Sequence, residues 1–161
     1  MVIDHRQVQQ ALNTLLTRST KARQTSLQNC HFVKQFLAHT GLVTTPQTEL
    51  YAVQEILVKT ITATLDKRHK MLGLVSSVYP ATYADIHQAL EFVRCADSCE
   101  LLVCNILYYR YVCAEFELSI PDISDLLWLS SRTVHRYHQD GVAQLTQKLI
   151  AIEVAALQQA V

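Results

Sequence analysis

Apolar positions recur at spacings of three and four along most of the chain, the period of amphipathic helices. After Asp4, an N-cap side chain, Val8, Leu12, Leu15 and Leu16 form the first series. Leu27, Cys30, Val33, Phe36 and Leu37 form a second, and the polar run RSTKARQTS at 18–26 predicts the division between them. Gly41, suited to a helix C-terminus, and Pro46, suited to a first turn, then introduce a long third helix. Its inner face is predicted to be Leu50, Val53, Leu57, Ile61, Leu65 and Leu72. Tyr79 and Pro80 break the pattern, and Thr82 with Asp85 make a capping box leading into IHQALEFVRC. Asp97 with Glu100 marks another start, opening the apolar run ELLVCNILYYRYV.

The last third carries the sharpest local signals. Ser119, Ile120, Pro121 and Asp122 make a capping box for a short helix that turns Ile123, Leu126 and Leu127 inward. Leu129 carries an apolar anchor across a turn, and Ser130 caps the next helix, where Val134, Tyr137, Gly141, Leu145, Leu149, Ile152 and Ala156 share one stripe. Arg132, His135, Arg136 and Gln139 then project from the opposite face, with Ser131 at the exposed N-terminal end. The expected fold is all-α, six to eight helices ending in a trihelical helix-turn-helix and a long C-terminal helix. Residues 1–96 form an N-terminal helical region for dimerisation, sensing or partner contact, and 97–161 the helix-turn-helix, both around one shared core.

Composition agrees with a folded helical chain. Half of the 161 residues are hydrophobic, enough for a core, and only three Gly and three Pro interrupt them. No apolar run approaches the roughly 18 residues of a membrane span, and MVIDHRQVQQ lacks the apolar stretch of a secretory signal, so a cytoplasmic location without membrane contact is expected. The five cysteines, Cys30, Cys95, Cys99, Cys104 and Cys113, are read as small buried side chains rather than a disulfide framework. Cys95 and Cys99 lie four apart, but no histidine completes a zinc pattern, so neither metal nor cofactor is expected.

Charge balances over the chain, with 14 Lys and Arg against 14 Asp and Glu, but not locally. Residues 1–39 hold five basic side chains against one acid, and 71–118 hold two against six. The basic cluster Lys67, Arg68, His69, Lys70 suits the C-terminal end of a helix dipole better than a phosphate site. No Gly-rich phosphate loop, HExxH or nucleophile beside a base is present, so an enzyme is not expected. His135 and His138, three apart, read as solvated or phosphate-facing.

LSIPDISDLLWLSSRTVHRYHQDGVAQLTQKL resembles the helix-turn-helix of the fourth region of bacterial sigma factors and its LuxR-type relatives. The resemblance rests on Ser119, Ile123, Ser124, Leu127, Leu129, Ser130, Val134 and Leu145, and with the preceding ELLVCNILYYRYVCAEFE spans roughly residues 98–149. More loosely, Arg132, Thr133, Arg136, Tyr137, Gly141 and Leu145 are similar to a string ending the N-terminal helix-turn-helix domain of large bacterial signalling (STAND-type) NTPases. Trp128 departs from the pattern, standing at the turn position usually given to Gly.

Both resemblances imply a regulatory role. Arg can pair with guanine edges and Gln with adenine, while Ser and His can serve phosphates or bases, and no acid lies between Ser130 and Gln139. The expected function is a transcriptional regulator or regulatory domain binding double-stranded DNA through Ser131, Arg132, His135, Arg136 and Gln139. The alternative is a protein-interaction domain of a larger signalling protein, because residues 119–161 hold only three Lys and Arg against four acids. A homodimer is the further expectation, paired through the C-terminal seam Val142, Leu145, Leu149, Ile152 and Ala156.

Overall fold

Local capping rules set most of the helix ends in the computed structural model, which describes residues 2–16, 24–76 and 78–160. Among the described residues the fold is all-α: α1 (His5–Leu16), α2 (His31–Thr40), α3 (Pro46–Met71), α4 (Tyr83–Cys95), α5 (Cys99–Leu107), α6 (Ile120–Leu127) and α7 (Ser131–Gln159). Asp4 caps α1, its Oδ1 accepting from the Gln7 N–H at 2.8 Å. Gly41 ends α2 in the left-handed conformation at φ 68°. The Thr82/Asp85 and Ser119/Asp122 boxes form as the sequence predicts. The dividing run 18–26 lies mostly outside the described residues; beyond it Leu27 sits in a 3-10 turn (Ser26–Asn29) and Cys30 is the extended N-cap of α2. The chain forms two compact units, 1–60 with 142–161, and 61–141, so residues 96 and 97 both fall inside the second.

In the first unit Val8, Leu12, Leu27, Val33, Val53 and Leu57 are fully or almost fully buried. On α7, Val142, Leu145, Leu149 and Ala156 are buried as well. Four of the five residues of the stripe expected to pair two protomers are therefore covered by the chain itself, and Ile152 is half-buried. Glu153, on the same inner face and only 5% exposed, supplies what the α2 N-terminus lacks. Cys30 offers that helix no side-chain cap; instead Glu153 Oε1 accepts from the His31 N–H at 3.0 Å and Oε2 from the Phe32 N–H at 3.1 Å. The His31 ring nitrogen Nδ1 lies 3.0 Å from Oε1.

In the second unit α4 packs on α5 and α6. α3 ends in a Schellman arrangement, with the Leu74 N–H donating to His69 O at 2.8 Å, the Gly73 N–H to Lys70 O at 3.2 Å, and Gly73 at φ 67°. The helix stops at Met71, so Leu72, expected on its inner face, is 52% exposed. Asp97 adopts φ 49° between α4 and α5, and Ser98 is the N-cap of α5, accepting from the Leu101 N–H at 3.2 Å.

After Leu107 the helix widens into a π turn, Tyr108–Val112, closed by the Cys113 N–H donating to Tyr108 O at 3.0 Å. The extra residue changes the helical register, and Tyr108, Tyr109 and Tyr111 are all buried. Cys30, Cys104 and Cys113 are buried as expected, and burial pushes the Cys30 and Cys113 thiols up to about 12. Cys95 and Cys99, beside the α4–α5 turn, are exposed, because helix ends there face solvent.

Candidate nucleic-acid interface

The helix-turn-helix is built from side-chain caps. Ser119 Oγ accepts from the Asp122 N–H at 3.2 Å, and Asp122 Oδ2 accepts from the Ser119 N–H at 2.7 Å. The Ser119 hydroxyl, then its N–H, holds the Asp122 carboxyl below its ordinary range. Ser124, the small buried residue on α6, donates to Ile120 O at 2.7 Å and lies 3.2 Å from Ser131 Oγ at the start of α7. Ser130 caps α7, its Oγ accepting from the Thr133 N–H at 3.1 Å.

Between the helices Trp128 occupies the left-handed position of a Schellman turn, at φ 56° and ψ 38°. The Leu129 N–H donates to Ser124 O at 3.0 Å and the Trp128 N–H to Asp125 O at 3.3 Å. A non-glycine residue there costs about 1–2 kcal/mol. The indole recovers little by burial, since it is 77% exposed, but the Arg94 guanidinium sits 3.8 Å over its ring. Such a stack contributes about 0.5–1 kcal/mol at an exposed site. Trp128→Gly is therefore expected to raise the thermal midpoint, by a net gain of about 0.5–1 kcal/mol. A lower midpoint in a thermal melt would show that the Arg94 stack outweighs the backbone strain.

Ser131, Arg132, His135 and Arg136 are exposed as predicted, and Arg132, Thr133, His135 and Arg136 line a shallow concavity of about 390 Å³. Gln139 is only half-buried at the far end of the row. The Arg136 guanidinium lies 5.3 Å over the Tyr137 ring. The Tyr137 hydroxyl stands 3.6 Å from Cys99 Sγ, a contact that raises its pKa. His138 is placed otherwise than expected: it is 4% exposed, with Nε2 2.7 Å from the Tyr111 hydroxyl, and only the parallel His135 ring, 6.2 Å away, reaches solvent. The spacing from Val134 through His138 to Val142 was the signal, since four-residue steps keep a side chain on the inner face.

Three other basic side chains of this unit are engaged elsewhere. Arg68 pairs with Glu100, His69 Nδ1 lies 3.0 Å from Val75 O, and Arg110 donates to Leu118 O at 3.2 Å. Within the 67–70 cluster, Arg68 thus ties α3 to α5 and His69 holds the connection after α3. Among the described residues no helix is long and apolar enough to cross a membrane, and no group of three His, Cys, Asp or Glu is arranged to hold a metal. Compared with models of protein families, with curated proteins and with solved structures, the chain matches none.

Proposed function

We propose that the chain is a regulatory domain that binds double-stranded DNA with the outer face of α7. The observation that supports it most is the convergence of Ser131, Arg132, His135 and Arg136 on one exposed face behind a capped turn, with no acid from Ser130 to Gln139. A helix fits the major groove, where arginine reads guanine bidentately and serine and histidine meet phosphates. The α7 N-terminus adds its dipole to that face. Three Lys and Arg in residues 119–161 make the electrostatic contribution modest, so binding should be weak at physiological salt.

In a low-salt shift assay on pooled random duplexes, affinity should fall as salt rises. Arg132→Ala with Arg136→Ala should weaken binding by about tenfold to a hundredfold and flatten the slope of log affinity against log salt by about 1–2. Equal binding by wild type and double variant, or none by either, would reject the DNA interface.

A second reading has its own observation. Trp128 on a strained backbone, 77% exposed and stacked by Arg94, presents two of the three residue types that most often anchor protein interfaces. It supports an interaction domain of a larger signalling protein, and a Trp128→Ala variant that loses a protein partner but keeps the DNA behaviour separates the two.

A further inference from the structure

We propose that the groove formed by α4, the connection between α3 and α4, and the junction of α5 with the π turn binds a small uncharged aromatic molecule carrying an N–H or O–H donor. The site is separate from the α7 face and does not rest on the DNA reading. Its volume is about 560 Å³, inside the range of roughly 300–1,000 Å³ typical of small-ligand sites. Tyr79, Phe92 and Tyr109 line it, offering aromatic faces against which a flat ring packs.

The polar groups in the groove select the ligand. Asn105, 2% exposed, is its deepest polar residue; its Nδ2 donates to Leu101 O at 2.8 Å, and its Oδ1 takes no hydrogen bond among the described residues. His69 also lines the groove, and its Nδ1 lies 3.0 Å from Val75 O. A carbonyl only accepts, so Nδ1 carries a proton, and in that tautomer Nε2 is an acceptor. Both groups reward a donor.

Charged ligands are disfavoured by the same inventory. No Lys or Arg lines the groove, which leaves an anion without a partner. The Asp85 carboxylate is turned to the start of α4, its Oδ2 accepting from the Ala81 and Thr82 N–H groups at 2.9 and 2.8 Å, so its charge is already matched by that helix N-terminus and it anchors a cation less well than a free carboxylate. The Tyr79 hydroxyl donates to Glu115 at 2.9 Å, which leaves its ring, and not its proton, to the ligand.

Indole and 1-methylindole test this, because they share a ring system and differ in the N–H. Titrated into the isotope-labelled full chain, indole should shift the amide signals of the groove residues saturably. 1-Methylindole should bind at least about tenfold more weakly, the consequence of leaving a buried acceptor unmade. Ala89→Phe, which fills the groove from α4, should abolish the indole shifts. Phe92→Ala, at a half-exposed side chain tolerant of change, should weaken them severalfold if the first variant does not fold. Saturable indole binding with a Kd below about 1 mM is required. Its absence, or its persistence unchanged in either folded variant, overturns the site, and equal affinity for the two probes overturns the donor requirement.

Discussion

Glu153→Gln is expected to lower the stability of the first unit by about 2–3 kcal/mol, the range for breaking charge-assisted hydrogen bonds at a buried group. The carboxylate takes one N–H at each oxygen, from His31 and Phe32, at the N-terminus of α2. A glutamine retains one acceptor and turns an NH2 toward the other N–H, so one backbone donor loses its partner in a site only 5% exposed. The negative charge opposite the helix dipole goes as well. Chemical denaturation of the two proteins at neutral pH measures the difference, and a change below about 0.5 kcal/mol would show that water satisfies the α2 N-terminus in the variant.

The same carboxylate makes the difference depend on pH. Burial raises the Glu153 pKa, but the bonds from His31 and Phe32 outweigh it and hold the carboxyl below its ordinary value. A group depressed in the folded state stabilises fully above its unfolded pKa, about 4.3 for glutamate. That stabilisation is lost as pH falls through the lower folded value. The gap between wild type and Glu153→Gln should thus be constant above about pH 5 and narrow in more acidic solution. A gap that widened on acidification would contradict the direction of the shift.

Gly141→Val is expected to destabilise the second unit by about 2–4 kcal/mol. Helix propensity favours replacing this glycine by alanine, by as much as about 1 kcal/mol. The packing opposes it, since a Cβ at 141 would lie 2.9 Å from Leu107 Cγ and 3.2 Å from Val103 Cγ1 on α5. Leu107 Cγ is the branch point of its side chain and can swing clear only by a change of χ1, which the packing around this buried residue resists. Valine adds two methyl groups to that contact and a β-branched penalty within the helix. Alanine should fall between, with its propensity gain cancelled. A valine variant as stable as wild type in urea would mean that α7 can lift off α5 at no cost.

How much of this was legible in the residues follows the range of each interaction. The caps at Asp4, Gly41, Thr82, Ser119 and Ser130, and the inner stripe of α7 from Val134 to Ala156, depend on partners three or four positions away, so type and spacing specify them. The exposed row Ser131, Arg132, His135 and Arg136 follows from that stripe by helical geometry. Leu72 and His138 were misplaced for local reasons: a glycine-based stop one residue beyond the leucine, and a four-residue step from Val134 that carried more weight than the three-residue step from His135.

The chain by itself determined that the protein is all-α, where most helices begin and end, and which polar face α7 turns outward, because backbone capping and helical periodicity act within one turn. Only the tertiary structure decided that Glu153 caps a helix more than a hundred positions before it, that Tyr111 in a π turn takes His138 into the core, and that Asn105 and His69 meet in one groove. It also covered Val142, Leu145, Leu149 and Ala156, four of the five residues of the C-terminal seam. Those outcomes turn on which surfaces are covered when distant helices pack, and burial and long-range hydrogen bonding leave no fixed spacing in a sequence.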